Sequence, residues 1–159
     1  MGPIIETRRL RLYPADDETM KELVEREQDP DLKQAYAEML AGCVNDPEHR
    51  IWYAVWFISP PDEPDRIAGD LSFKGPAADG AVELGYGLRE GYCGKGYMTE
   101  AVKAITEWAL RQKGVTRVEA ETAPENAASQ MVLARAGFLP TSETGEEGPR
   151  YVYGIPQKK

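Results

Sequence analysis

Three groups of residues in this chain have the types and spacing to do chemistry. From Gly91 to Gly96 the chain reads Gly-Tyr-Cys-Gly-Lys-Gly, and an apolar-periodic run follows at once. Gly91, Gly94 and Gly96 open backbone conformations that other residues avoid. A Gly-rich bend feeding a helix start aims unpaired N–H groups, with about half a positive charge, at one spot. That spot suits a phosphate. Upstream, Glu83 shares a strand face with Gly85 and Gly87, so a proton-accepting carboxylate lies on the strand that feeds the bend. Downstream, Asn126 and Ser129 bring an amide and a hydroxyl to the first turn of another helix.

These residues need a strand, a loop and a helix to hold them. Val82, Leu84, Tyr86 and Leu88 alternate with Glu83, Gly85, Gly87 and Arg89, the period of a strand. After the loop, Met98, Ala101, Val102, Ile105, Trp108 and Ala109 fall at helical spacing. Two familiar phosphate loops are excluded by spacing. The nucleotide-triphosphate loop needs Gly where Arg89 stands and Ser or Thr where Gly96 stands. The dinucleotide fingerprint, started at Gly94, needs Gly where Thr99 stands.

What remains resembles the GNAT superfamily of acyl-CoA-dependent N-acetyltransferases, whose signature is Gln/Arg-x-x-Gly-x-Gly/Ala. Gly91 to Gly96 matches both Gly positions and departs at the first, where Gly91 replaces Gln or Arg. Asn126 to Ser129, then Val132 to Phe138 with its Gly-Phe ending, resembles the second cofactor helix. The opening, Glu6-Thr-Arg-Arg-Leu-Arg-Leu12, resembles the first strand of the RimJ/RimL branch, which acetylates protein N-termini and other amines. The similarity is weakest between about residues 29 and 65.

At 159 residues, with 42% hydrophobic and 29% charged, the chain reads as one globular domain, residues 1–159. No run approaches a membrane span, and no signal-peptide pattern is seen at the start. Cys43 and Cys93 lack metal or disulfide spacing, so a reducing cytoplasm is the default. The net charge of −8 argues against general nucleic-acid binding and is compatible with a cationic amine. Leu10–Tyr13 reads as a strand, and Asp16 or Asp17 caps a helix to about Glu27. A second helix, 31–44, carries a stripe of Leu32, Ala35, Tyr36, Met39, Leu40, Cys43 and Val44. Strands follow over 51–59 and 66–74, then the Glu83 strand. Past the loop helix, Gly114 stops it, 116–122 forms a strand paired parallel to the Glu83 strand, and a helix runs from Asn126 to Gly137. A hairpin, 138–144 with 150–155, closes the chain.

The resemblance implies a mixed α/β (α+β) GNAT-like fold. Its six- to seven-stranded, mostly antiparallel sheet is splayed at a parallel pair and flanked by about four helices. Acetyl-CoA would be a co-substrate, with pantetheine in the splay beside a bulge that Gly85 and Gly87 would permit. Backbone groups at Gly87, Leu88 and Arg89 would pair with pantetheine. Gly91, Tyr92, Cys93, Gly94, Lys95, Gly96 and Tyr97 would surround the phosphates, with Asn126 and Ser129 beside them.

A Lys-like amine at pH 7 is neutral about once in 2,500, a cost of roughly 4.6 kcal/mol, so a base helps. The resemblance gives that role to Glu83, against the alternative of a salt-bridged strand carboxylate. Many members carry a Tyr acid where Leu133 stands here. Ser129, by resemblance to the RimJ/RimL branch, takes its place, against the alternative of an ordinary first-turn hydroxyl. Asn126 is also the natural N-cap. His49 reads as a loop residue without a partner, and no metal is implied. The acceptor is an amine, a small molecule or a protein N-terminus, with Tyr36, Trp52, Trp56, Tyr151 and Tyr153 as candidates to line its site or to fill the core. A homodimer is left open. The alternative function is a non-catalytic acyl-CoA sensor, and a nucleotide-binding protein is a third reading.

Overall fold

The computed structural model describes residues 3–60, 63, 65–88 and 96–154, with the backbone alone for Leu88. The strands are β1 (Ile5–Glu6), β2 (Arg11–Pro14), β3 (Val55–Ser59), β4 (Gly69–Phe73), β5 (Ala81–Leu88), β6 (Arg117–Glu121), β7 (Leu139–Thr144) and β8 (Pro149–Gly154). The helices are α1 (Asp17–Arg26), α2 (Pro30–Asn45), α3 (Tyr97–Leu110) and α4 (Ala127–Ala136). One sheet has the order β1-β2-β3-β4-β5-β6-β8-β7, and every pair is antiparallel except β5–β6. The parallel pair spanning the loop and α3 is the one that the strand–helix–strand order requires. The sheet has eight strands rather than six or seven, because Ile5 and Glu6 turn back through Thr7–Leu10 to pair with Leu12 and Arg11.

Local chemistry sets the helix ends. Asp16 accepts from the Thr19 N–H and starts α1; Asp29 and Pro30 start α2; Asn126 starts α4. Gly137, at φ 104°, closes α4 in the left-handed region.

The expected strand over 51–59 begins only at Val55. Pro47 to Trp52 winds into a 3₁₀ turn, in which the Arg50 carbonyl accepts from the Tyr53 and Ala54 N–H groups. Pro47 suits the first turn of a helix, which an apolar reading of Ile51 and Trp52 overlooks. The α2 stripe is also narrower than its periodicity suggests. Tyr36, Met39, Leu40 and Cys43 pack toward α1 and β3, while Leu32 and Val44 are 40% and 54% exposed at the two ends.

The two sheet faces are covered unequally. Trp56, Ile58, Leu71, Phe73, Val82, Leu84 and Val118 meet α3 and α4. Trp52, Phe73 and Trp108 interlock there, with ring centroids 4.8 to 6.4 Å apart. On the other face α1 and α2 pack on Tyr13, Val55 and Phe57 of β2 and β3. The corresponding positions of β5, β6 and β8 carry Glu83, Arg117, Glu119, Glu121 and Arg150.

Candidate functional site

The parallel ladder runs from Ala81↔Arg117 to Leu84↔Ala120 and goes no further, although β5 continues to Leu88 and β6 to Glu121. From Gly85 to Leu88, β5 keeps β4 on one side and has no described strand partner on the other. Backbone N–H and C=O groups on that side are ready to pair with an extended ligand. The β4–β5 register is continuous through Gly69↔Leu88 and Phe73↔Leu84, so the bulge expected at Gly85 and Gly87 is absent there. The two glycines serve the open face instead. A Cβ on Gly85 would approach only Ser72, at 4.0 Å, and one on Gly87 would meet nothing within 4 Å.

A cavity of about 630 Å³ opens where the ladder stops. Tyr86 and Gly87 line it from β5, Gly96 and Thr99 from the start of α3, and Asn126 and Ser129 from the start of α4. Three elements whose site residues lie far apart in sequence therefore converge. Gly96 precedes α3 at φ 78°, a conformation that a side chain resists. Its α3 start is tied to the β1–β2 turn. Glu100 accepts from the Thr7 hydroxyl and from the backbone N–H and Nε of Arg9, the last at 2.7 Å. Burial pushes the Glu100 carboxyl up, but these hydrogen bonds more than offset it and hold it below its ordinary value. The Arg9 guanidinium lies 4.8 Å over the Tyr97 ring.

Ser129 donates its N–H to Asn126 Oδ1 at 3.0 Å, so Asn126 acts as the N-cap. The Ser129 hydroxyl lies 2.8 Å from the Tyr86 hydroxyl, which also reaches the Ser129 carbonyl at 3.2 Å. In the sequence Tyr86 reads as one more apolar residue of a strand. Burial raises its pKa, the Ser129 hydrogen bond opposes the rise, and Tyr151 adds to it. Leu133 is fully buried in the core.

Glu83 lies on the opposite face of β5 from Tyr86. Its carboxylate is 3.3 Å from Arg150 and 3.2 Å from Lys74. Arg150 also grips Glu119, at 2.8 Å, and Glu121, and Arg117 meets Glu119 at 2.8 Å. The Glu119 bond is foremost in raising the Arg150 pKa. For Glu119 itself, burial pushes up while Arg117 and Arg150 pull it below its ordinary value. Glu121 is lowered by the Glu147 backbone N–H and by Arg150. This ionic cluster had no signal in the sequence, because Arg150 lies 67 residues from Glu83.

Gly87, Gly96, Asn126 and Ser129 thus line one cavity, Tyr97 stands at its α3 end, and Leu88 ends the unpaired edge. Glu83 faces away from that cavity's α4 wall. Arg89, Gly91, Tyr92, Cys93, Gly94 and Lys95 lie outside the described residues. His49 has a partner after all, Asp46 at 3.0 Å. Trp52 and Trp56 are buried core, and Tyr36, Tyr151 and Tyr153 are partly buried. No helix among the described residues is long and apolar enough to cross a membrane.

Comparison with known proteins matches residues 9–139 to a family model described as acetyltransferase (GNAT) domain. An uncharacterized N-acetyltransferase of Bacillus subtilis, YjdG, is 29% identical over 91 residues, which cover 57% of this chain and 54% of that protein. The chain thus spans about half the length of this curated relative. Among solved structures, an acetyltransferase from Agrobacterium tumefaciens aligns with a TM-score of 0.72 and 22% identity, covering 98% of this chain and 96% of the other. RimL, a ribosomal L7/L12 alpha-N-protein acetyltransferase in complex with coenzyme A, aligns with a TM-score of 0.71 and 19% identity, covering 96% and 98%.

Proposed function

The chain belongs to the GNAT acetyltransferase family, and from that premise we propose that it transfers an acetyl group from acetyl-CoA directly to an amine. One observation carries the reading: β5 and β6 part after Leu84↔Ala120, and a 630 Å³ cavity opens beside the unpaired edge. Pantetheine would lie along Gly85–Leu88 as a substitute strand, with the diphosphate at the bend before α3. A backbone N–H of that edge would polarise the thioester carbonyl.

The acceptor would arrive on the Glu83 face, which Gly85 and Gly87 keep clear. Glu83, shared between Arg150 and Lys74, would take the amine proton through a water rather than by direct contact. The thiolate would depart on the other side of the strand, toward Ser129. A protein N-terminus or a small amine would serve as acceptor in a cytoplasmic setting. RimL, whose fold this chain shares, is a ribosomal-protein acetyltransferase, which makes N-terminal peptides the first acceptors to try.

The ion pairing of Glu83 favours a second reading, an acyl-CoA sensor without turnover. Thiol release from acetyl-CoA with a panel of amines and N-terminal peptides separates the two. Acceptor-stimulated release supports the transferase, and cofactor binding without release from any acceptor supports the sensor.

A further inference from the structure

We infer that Tyr86 is a positioning residue for the departing thiolate, acting through Ser129. The inference rests on the acetyl-CoA reading above. The two hydroxyl oxygens are 2.8 Å apart, and both residues line the cavity at the parted strands. Within this pair one hydroxyl must donate. The phenol has one proton and two acceptors in reach, Ser129 Oγ at 2.8 Å and the Ser129 carbonyl at 3.2 Å. On the shorter contact Tyr86 donates to Oγ, and the Ser129 proton is left to point away from Tyr86. A free serine hydroxyl would rotate among its wells and among competing acceptors; the tyrosine bond removes that freedom.

Burial holds the phenol above its ordinary pKa, so at neutral pH it is a lasting donor and a poor acid. No proton is transferred along the pair. As the tetrahedral intermediate collapses, the C–S bond breaks, its electron pair stays on sulfur, and the Ser129 O–H donates a hydrogen bond to that thiolate. Solvent protonates the sulfur afterwards. This arrangement supplies from β5 a stabilising phenol that Leu133 cannot supply from α4. Among the described residues, Tyr151, beside Tyr86, and Arg135, on the cavity wall, are the neighbouring titratable and charged groups.

The test needs no acceptor. Coenzyme A is bound to the full chain, and thiolate absorbance is followed against pH, with spectra of the protein alone subtracted. Wild type, Tyr86→Phe, Ser129→Ala and the double variant are compared, each with its affinity for coenzyme A. The bound thiol in wild type should ionise roughly one pH unit below free coenzyme A, the size expected of hydrogen bonding to a charged form. Tyr86→Phe should lose about half of that displacement. Ser129→Ala should lose more, and the double variant should match Ser129→Ala. Arg135 and Tyr151 stay in all four proteins, so they cannot produce the differences.

Equal thiol ionisation in all four, or additive losses in the double variant, overturns the role of Tyr86. Absence of coenzyme A binding in wild type overturns the acetyl-CoA reading itself, and the relay with it. Binding with the expected thiol behaviour, but no acceptor turnover, supports the relay and points to the sensor.

Discussion

Neighbouring positions on β5 hold opposite kinds of chemistry. Glu83 stands on an open face among charges, held by Lys74 and Arg150, with Glu119 and Glu121 drawn into the same network. Tyr86, three residues on and on the other face, meets Ser129 through neutral hydroxyls in a cavity walled by α3 and α4. A carboxylate in contact with water can take a proton through that water, against the hold of its two cations. A half-buried face with fixed hydroxyls can steady a new anion, because low dielectric strengthens its hydrogen bonds. Strand alternation alone sets the two faces apart, and the parting of β5 from β6 leaves one edge of β5 open between them.

The largest expected effect lies on the charged face. Glu83→Gln should lower kcat/KM about 100-fold for an alkyl amine, most strongly at low pH, with coenzyme A affinity nearly intact. An unchanged pH–rate profile removes Glu83 from the reaction and erases the functional contrast between faces.

Arg150→Met should cost about 2 kcal/mol of stability in urea unfolding, because three carboxylates lose their common cation. A loss within experimental error would reduce the cluster to surface ion pairing. The same network fixes an acid limb. Glu119 and Glu121 titrate below their ordinary values in the folded chain. Their contribution is therefore full above the unfolded-state pKa and drains away as pH falls through the lowered folded values, from about pH 5 downward. Arg150→Met should flatten that limb, and unfolding midpoints across pH 3 to 6 would check it.

The smallest effect is expected at Gly87. Alanine there should change stability by no more than about 0.5 kcal/mol, since its Cβ would meet nothing within 4 Å. Its rate should fall more for bulky acceptors than for small ones. Equal rates for both would mean that the acceptor does not cross this part of the face.

Much of the frame was legible in the sequence because it rests on local chemistry. Asp16, Asn126 and Gly137 mark helix ends by their own side chains or lack of one, and the order of strand, loop, helix and strand dictates the parallel pair. Of the expected site, Gly87, Gly96, Asn126 and Ser129 line one cavity, while most of the motif from Gly91 to Gly96 lies outside the described residues. The Tyr86–Ser129 contact joins residues 43 apart, and Arg150 reaches Glu83 across β6, so nothing in either local pattern announces them. The 3₁₀ turn at Pro47–Trp52 is hidden for a related reason. Its apolar residues satisfy a strand pattern, and only the hydrogen bonds to Arg50 decide otherwise.

The central claim is that one ligand spans the parted strands and touches both faces of β5. A crystal structure of the chain with acetyl-CoA tests it most directly. The expected density has the diphosphate at the bend before Tyr97, pantetheine along Gly85–Leu88, and the sulfur within hydrogen-bonding reach of Ser129 Oγ. Acetyl-CoA bound elsewhere, with β6 zipped onto β5 beyond Leu84, would contradict the account.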